Sequence, residues 1–450
     1  MFDKVLVANR GEIAVRVIRS LKELGISTVA IYSEVDKDSR HVQLADQAYC
    51  VGPRRPAESY LNIPSIMSVA EVTGADAIHP GYGFLSENAH FAEVCEDTGL
   101  EFIGPTSEVI ALMGDKTKAR ETMMEAGVPV VPGTENGIED IDEALSVADE
   151  IGFPLIIKAA AGGGGKGMRI VHNKKDMEKS IQMAQAEAQS SFGDERVYLE
   201  KYVEEPRHIE FQILGDKKGN IIHLGERDCS IQRRHQKVIE EAPSPALTQE
   251  LREEMGQVAV KAAEAVDYFN AGTVEFLLDK DNNFYFIEMN TRIQVEHPVT
   301  ELVTGVDIVK EQIRVAAGFE LSLTQDELEI NGSAMECRVN AEDPEHDFRP
   351  SPGKIEKYIL PGGPGVRVDD GVYQGDQITP YYDPMVAKLI VWGETRKETI
   401  TRMERALDEY KVEGPALVTN IPFHLKVLNN AFFRKGEFYT NFINRRIMVE

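Results

Sequence analysis

Apolar runs alternate with helical patterns at the start of the chain. Residues 5–8 form an apolar run that predicts a buried strand, and residues 27–32 predict a second one. Between them, apolar side chains recur at helical spacing over residues 13–24, and Gly25 is a favourable C-terminal stop. A strand, a helix and a strand in this order predict an open parallel α/β sheet, which we expect to extend to about residue 113.

After Lys116 the pattern changes to helices mixed with hairpins. The chain is therefore predicted to combine α/β and α+β parts in three domains, with bounds at residues 1–113, 114–318 and 319–450. Further strands are predicted at residues 155–158, 168–171, 197–201, 208–214, 221–226, 334–340 and 385–392, and helices near 87–98, 248–265 and 396–410.

The first strand-to-helix turn decides whether the opening sheet binds a dinucleotide. It carries only Gly11, and the three-glycine pattern of such sites is missing. NAD binding is therefore not expected.

A run of glycines at residues 162–167 separates two predicted strands. It does not precede a helix, and Gly167 stands where a P-loop has Ser or Thr, so neither nucleotide-binding pattern of that kind applies. Four successive glycines still allow backbone N–H groups to approach phosphates closely. We expect a flap that covers a ligand, with Lys158 adding charge, and a flexible hairpin is the alternative.

Polar and apolar residues alternate over residues 287–297. If the chain is extended here, alternate side chains share a face. One face would carry Glu288, Asn290, Arg292, Gln294 and Glu296, and the other, predicted to be buried, would carry Ile287, Met289, Ile293 and Val295. A solvated strand face is the alternative, but regularly interleaved Arg, Glu and amide groups favour a binding surface.

A hard-oxygen cluster is predicted beside this segment. A turn at residues 279–283 would place Glu275 about opposite Glu288, and Asn290 lies on the same face. Carboxylate and amide oxygens are typical ligands of Mg²⁺. A structural salt bridge is the alternative.

The charge balance limits the class of ligand. The chain has 49 basic and 75 acidic residues, a net charge of −26, which disfavours nucleic-acid binding. Residues 226–237 are nevertheless densely basic, and Lys237 with Arg292 would suit a small anion such as bicarbonate. A solvated charged loop is the alternative for this stretch.

The four cysteines form no C-x-x-C pair, which excludes a zinc ribbon and a disulfide framework. No apolar run is long enough for a membrane span, and the start has no signal-peptide layout, so we expect a cytoplasmic enzyme.

Several motifs together resemble the biotin carboxylase family, and the resemblance covers essentially the whole chain. They lie at residues 8–14, 79–85, 162–167, 226–237, 288–298 and 338–344. The resemblance implies an ATP-grasp fold, with a Rossmann-like domain before it and a biotin carboxylase C-terminal domain after it. It also implies ATP, Mg²⁺ or Mn²⁺, bicarbonate and biotin as ligands.

The resemblance assigns residues to each ligand. ATP phosphates and ribose would be contacted by Lys116, Lys158, Gly163, Gly164, Gly165, His208, Gln232 and His235. The adenine-side hinge would be formed by Glu200, Lys201 and Val203, and Tyr202 and Leu277 are further expected nucleotide-binding residues. The metal would be held by Glu275, Glu288 and Asn290. Bicarbonate would meet Lys237, Arg292, Gln294, Val295 and Glu296, and Arg338 would reach both bicarbonate and biotin. Glu296, Arg292, Arg338 and Lys237 are the expected catalytic residues.

The same resemblance implies partners. No Met-Lys dipeptide of the kind that accepts biotin occurs in these 450 residues, so biotin is expected to arrive on a biotin carboxyl carrier protein. Carboxyltransferase subunits and a homodimer are the other expected partners, with no nucleic acid and no membrane. Acetyl-CoA carboxylase in fatty acid synthesis is the expected parent, and a pyruvate or other acid carboxylase is the alternative. Another ATP-grasp ligase and an ATP-binding regulatory protein are the remaining rivals.

Overall fold

The computed structural model describes residues 1–134, 141–159, 168–192 and 195–448. Backbone contacts divide the chain into two compact units. The larger comprises Met1–Asp115, Arg207–Glu275 and Glu288–Glu450, and the smaller comprises Lys116–Pro206 and Phe276–Ile287. The predicted glycine flap lies outside the described residues.

The larger unit begins with a five-stranded parallel sheet in the order β3-β2-β1-β4-β5. Its strands are β1 (Lys4–Val7), β2 (Ser27–Ser33), β3 (Gln47–Gly52), β4 (Ala77–His79) and β5 (Glu101–Phe102). The accompanying helices are α1 (Gly11–Glu23), α2 (Arg40–Leu44), α3 (Ile63–Thr73), α4 (Ala89–Thr98) and α5 (Ser107–Gly114). Alternate residues of β1 enter different cores: Val5 and Val7 pack with α1, whereas Leu6 packs with α3 and α4. The predicted open α/β sheet is confirmed.

The smaller unit contains a three-stranded antiparallel sheet in the order β7-β6-β8. Its elements are α6 (Lys116–Glu125), α7 (Ile141–Ile151), β6 (Leu155–Ala159), β7 (Arg169–Val171), α8 (Met177–Phe192) and β8 (Val197–Lys201). Leu155 and Ile157 of β6 are buried in a core shared with α7 and α8. Because side chains alternate along a strand, Lys158 points to the opposite face of this sheet.

The remaining chain builds a larger sheet of eight strands. The next elements are β9 (Arg207–Gly215), β10 (Ile221–Arg233), β11 (Gln236–Ala242), α9 (Gln249–Glu264), β12 (Asn270–Leu278), β13 (Phe284–Asn290), α10 (His297–Thr304), α11 (Ile308–Ala316) and β14 (Ser333–Asn340). After them come β15 (Glu342–Asp343), β16 (Arg349–Pro350), β17 (Gly353–Lys354), β18 (Lys357–Ile359), β19 (Val366–Asp370), β20 (Gln377–Ile378), β21 (Met385–Gly393), α12 (Arg396–Glu409), β22 (Lys411–Glu413), α13 (Ile421–Leu428) and α14 (Ala431–Lys435). The sheet order is β13-β12-β9-β10-β11-β14-β21-β19.

Two charged segments are more deeply buried than their patterns indicate. The basic stretch over residues 226–237 is no solvated loop, because β10 runs through it to Arg233 and the side chain of Arg227 is fully buried. The extended segment over residues 287–297 ends early, since β13 stops at Asn290. Met289 and Ile293 are buried as predicted, but Ile287 is exposed against the prediction. Glu296, from the predicted polar face, is fully buried, so the solvated-face alternative does not hold for it. Ion pairs with residues on other elements stabilise these buried charges. The periodicity of a single segment does not reveal such partners.

Among the described residues, no helix combines the length and the apolar character needed to cross a membrane.

Candidate active site

Lys237 lies at the centre of a buried charge cluster in the larger unit. It is the second residue of β11, which follows a tight turn at Arg234 and His235, and it pairs with Gln232 of β10. Its Nζ donates to Glu210 at 2.5 Å, to Glu275 at 2.9 Å and to Glu296 at 2.7 Å. Burial opposes the ammonium charge, but the three carboxylates outweigh it and hold the pKa of Lys237 well above its usual range. Lys237 is therefore a permanent cation.

Glu275 on β12 is held by several donors. Its Oε1 accepts hydrogen bonds from Asn290 Nδ2 at 3.0 Å and from Gln294 Nε2 at 2.9 Å, in addition to Lys237. Its Oε2 lies 2.9 Å from Nε2 of His208. Burial alone would raise the pKa of Glu275, but Lys237 and His208 hold it well below its usual range. The carboxylate thus stays ionised and can offer hard oxygen ligands.

His208 is oriented from β10. Gln232 Nε2 donates to the carbonyl of Cys229 at 2.9 Å and lies 3.1 Å from His208 Nδ1. This contact directs the other ring nitrogen, Nε2, toward Glu275. Two residues implied as ATP contacts therefore belong to the same network as the cluster around Lys237.

Glu296 joins two cations. It lies directly before α10, accepts from Lys237 through Oε1 and accepts from Arg338 Nη2 at 2.9 Å through Oε2. Burial would raise its pKa, but Lys237, Arg338 and Arg227 hold the pKa of Glu296 far below the usual range. Lys388 on β21 donates to the backbone carbonyl of Val295 at 2.8 Å and so fixes the segment that carries Glu296.

Arg292 is anchored in a different way. Its Nε donates to Glu87 at 2.8 Å, and its Nη2 donates to the side-chain oxygen of Asn290 at 3.1 Å. Glu87 also accepts from the backbone N–H of Thr291 at 3.2 Å. The guanidinium of Arg292 is therefore oriented by Glu87, which is remote in sequence, and by Asn290, which is two residues away.

The residues predicted to hold a metal ion fit that role by their chemistry. Glu275 and Asn290 are in contact across neighbouring strands, and Glu288 is two residues before Asn290 on β13. Two carboxylates and an amide oxygen are the donor set that Mg²⁺ prefers, and Glu275 is ionised. His208, Glu210 and Glu275 form a second group of suitable geometry around the same carboxylate.

The predicted nucleotide residues of the smaller unit are placed separately. Lys158 on β6 forms an ion pair with Glu200 on β8, on the face of the sheet away from its helices. Lys116 begins α6, Leu277 lies near the end of β12, and Lys201, Tyr202 and Val203 lie at and directly after the end of β8. Gly163, Gly164 and Gly165 lie outside the described residues.

Three family models match consecutive parts of the chain. They are described as "Biotin carboxylase, N-terminal domain" at residues 1–110, "Carbamoyl-phosphate synthase L chain, ATP binding domain" at residues 115–324, and "Biotin carboxylase C-terminal domain" at residues 336–445. Biotin carboxylase 1 of Bacillus subtilis is 59% identical over 444 residues, 98% of this chain and 98% of that protein. The chain belongs to the biotin carboxylase family.

Relatives of this family serve different parent enzymes. A pyruvate carboxylase subunit of Methanothermobacter thermautotrophicus is 58% identical over 99% of this chain and 90% of its own length. The biotin carboxylase domain dimer of the Hydrogenobacter thermophilus 2-oxoglutarate carboxylase, solved with MgADP, ADP and bicarbonate, matches with 54% identity and a TM-score of 0.91. It covers 99% of this chain and 97% of that one. The predicted family, the ATP-grasp fold class and the enzyme class, an ATP-dependent biotin carboxylase, are confirmed.

Several residues of the biotin carboxylase cluster escaped the sequence analysis. Glu210 could have been found, because it shares a strand face with His208 two residues earlier. Glu87 gave no such signal, since it is separated from Arg292 by 205 positions. Glu240 pairs with Glu336, 96 positions later, and Lys388 pairs with Arg338, 50 positions earlier, so no local pattern connects them.

Proposed function

We propose that this chain carboxylates biotin on a separate carrier, using ATP and bicarbonate, by way of carboxyphosphate. The observation that carries the proposal is the position of Glu296 between Lys237 and Arg338, because it combines an ionised carboxylate with two fixed cations. Such a site suits an anionic substrate that must lose a proton as it attacks. The MgADP and bicarbonate of the solved relative support the same ligands here.

The nucleotide residues would act through charge and position. Lys116, Lys158, His208 and His235 would neutralise ATP phosphates, while the segment from Glu200 to Val203 and Leu277 would meet the adenine. Gln232 would keep His208 in its orientation. Glu275, Glu288 and Asn290 would hold Mg²⁺, which when bound neutralises charge on the phosphate oxygens.

In the first step, a bicarbonate oxygen attacks the γ-phosphorus and ADP leaves. Lys237, Arg292, Gln294 and Val295 would hold the anion, and Glu296 would accept its proton. The strongly lowered pKa of Glu296 means that the carboxylate is ionised at every working pH, although as a weak base. We propose that Glu296 contributes because its carboxylate is already deprotonated and is held in a fixed position by Lys237 and Arg338.

In the second step, carboxyphosphate divides into CO₂ and phosphate. The released phosphate takes the N1 proton of biotin, and the nitrogen then forms its bond to the carbon of CO₂. Negative charge develops on the ureido oxygen, which Arg338 would stabilise. Nη1 of Arg338 has no hydrogen-bond partner within the described part of the chain and is available for that oxygen.

The parent enzyme and partners belong to the same proposal. Acetyl-CoA carboxylase is the first candidate, and the relatives named for pyruvate and 2-oxoglutarate carboxylases make an acid carboxylase the second. A biotin carboxyl carrier protein, carboxyltransferase subunits, a second copy of this chain and a cytoplasmic location remain predictions.

Phosphate release from Mg-ATP tests the proposal. It should require bicarbonate and rise with free biotin, and label from bicarbonate should appear in biotin. Lys237→Gln should abolish this activity, while Lys357→Gln, a matched change at an exposed ion pair, should preserve it. Release that depends on an amino acid or ammonia instead would favour another ATP-grasp ligase, and ATP binding without release would favour a regulatory protein.

A further inference from the structure

Two fully buried glutamates, Glu240 and Glu336, are paired across neighbouring strands, and Glu240 is in contact with Arg338. Glu240 on β11 and Glu336 on β14 are opposite residues of an antiparallel pair, and neither side chain is accessible to solvent. Opposite side chains in such a pair have Cβ atoms about 4.5–5.5 Å apart. Two ionised carboxylates at this separation would repel each other strongly in a buried site.

Their hydrogen bonding is unequal. Glu240 accepts from Arg338 Nε at 2.6 Å through Oε1, whereas its Oε2 has no partner among the described residues. Neither oxygen of Glu336 has a hydrogen-bond partner within that part of the chain, and no ion pair reaches it there. The second hydrogen bond of Arg338, from Nη2, goes to Glu296 and not to Glu336. Within the described residues, Glu240 therefore has a cation in direct contact, whereas Glu336 has none.

The surroundings of Glu336 are apolar on the side of α10. Ala334 and Ile390 flank it in the sheet, and Val299 and Val303 of α10 cover the same core. Charged or titratable groups that act on the pair from the neighbouring elements are Arg338 and Cys337 on β14, Lys237 on β11, Cys229 on β10, Lys388 on β21 and Glu296 before α10. Lys388, the second cation near Glu336, is already in contact with Glu12.

We propose that Glu336 is held as the neutral carboxylic acid while Glu240 is the carboxylate that positions Arg338 for biotin. The proton on Glu336 supplies the donor that the free Oε2 of Glu240 lacks, and Arg338 then faces one carboxylate of the pair instead of two. Burial raises the pKa of Glu336 well above its usual range although the charge of Lys388 opposes the rise, and Glu240 adds to it. Burial also raises the pKa of Glu240, to about 7, with Arg338 opposing the rise, so Glu240 is ionised at about pH 8. Glu240 and Glu336 are positioning residues, and their role rests on the proposed function.

Infrared spectroscopy tests the proton directly. At about pH 8, ordinary Asp and Glu side chains are ionised, so a carboxylic acid C=O band marks a perturbed group. The difference spectrum between the wild-type protein and Glu336→Gln, recorded without substrates, should show loss of one such band, which shifts in D₂O. Absence of that band from the difference would overturn the proposal.

Kinetics of matched variants test the positioning. Glu240→Gln removes the charged partner of Arg338 and should lower kcat/KM for biotin by about 10- to 100-fold, the scale seen for residues that orient a functional group. Bicarbonate-dependent ATP cleavage without biotin should fall much less. Glu336→Gln keeps a neutral side chain of the same size, so its loss for biotin should be several-fold smaller. Glu413→Gln, at an exposed ion pair on β22, is the control.

A purely structural role predicts equal losses in the two variants, because the two glutamates are equally buried. Equal losses for biotin in Glu240→Gln and Glu336→Gln, with both proteins folded by circular dichroism, would overturn the proposal. A wild-type chain that lacks biotin-dependent activity would instead overturn the proposed function, while the infrared band would still decide the protonation of Glu336.

Discussion

At the scale of single residues, the site depends on charges that are buried together. Lys237 contacts three carboxylates, and Glu296 contacts two cations, so each charge stabilises the others in a region that water does not screen. Removing one member leaves its partner buried and uncompensated. Substitutions here must therefore be judged by activity and by stability together.

Glu296→Ala should slow bicarbonate-dependent ATP cleavage by about 10²–10⁴-fold, the usual scale for a general base. ATP binding should stay nearly intact, because Glu296 is held by Lys237 and Arg338, which the family resemblance assigns to bicarbonate and biotin. Steady-state phosphate release and equilibrium ATP binding measure the two effects. Turnover close to that of the wild-type protein would remove Glu296 from the mechanism.

Arg338→Met should impair carboxyl transfer to biotin by about 2–4 kcal/mol, the scale of a lost oxyanion donor. Cleavage of ATP that depends on bicarbonate alone should suffer less, since Lys237 still compensates Glu296. Parallel assays with and without biotin separate these outcomes. Equal losses in both would mean that Arg338 serves the shared anion or the folded state.

At the scale of elements, β10 carries its charges inside the sheet. Arg227 is completely buried and donates to Glu210 at 2.5 Å, to Gln212 at 2.8 Å and to Thr300 of α10 at 3.0 Å. One guanidinium thus joins β9, β10 and α10 next to the charge cluster around Lys237, with which it shares Glu210. The strand tolerates the buried cation at this position because each of its three nitrogens has an acceptor.

Arg227→Met should destabilise the protein by about 3–5 kcal/mol, because Glu210 loses one of its two cations while remaining buried. Urea denaturation followed by circular dichroism measures the change. Arg405→Met, which breaks an exposed pair with Glu409 on α12, should cost at most about 0.5 kcal/mol. A loss for Arg227→Met as small as that of the control would show that the buried pair contributes little.

At the scale of the whole molecule, the strongly negative net charge bears on how a carrier protein would be recognised. A net charge of −26 does not attract an acidic partner broadly, so recognition should depend on a local surface. Tethered biotin gains an effective concentration on the millimolar scale once its carrier docks.

The purified carrier protein should therefore give a much higher kcat/KM than free biotin at equal concentration. Carboxylation assays with both substrates measure the ratio, and equal values would mean that no carrier is recognised. Mass spectrometry of this chain expressed with a biotin ligase provides the control. A biotin adduct on any of its lysines would contradict a separate carrier.

The sequence by itself determined the order of elements and most of the chemistry. The apolar run of β1 and the helical spacing of α1 are local patterns, so the parallel sheet followed from them. Lys237, Glu275, Arg292 and Glu296 were also singled out by local charge patterns and strand register, and the structure brings Lys237 into contact with Glu275 and Glu296. Local periodicity recognises such features without knowledge of distant contacts.

Only the tertiary structure decided which charges meet. Periodicity placed Glu296 on a polar face with Arg292, but it did not show that Glu296 is buried between Lys237 and Arg338, which lie on two different strands. Glu240 and Glu336 are 96 positions apart in sequence and become neighbours only through the pairing of β11 with β14. The free energy of a buried charge depends on its partners across the sheet, and strand pairing, which no local pattern encodes, selects those partners.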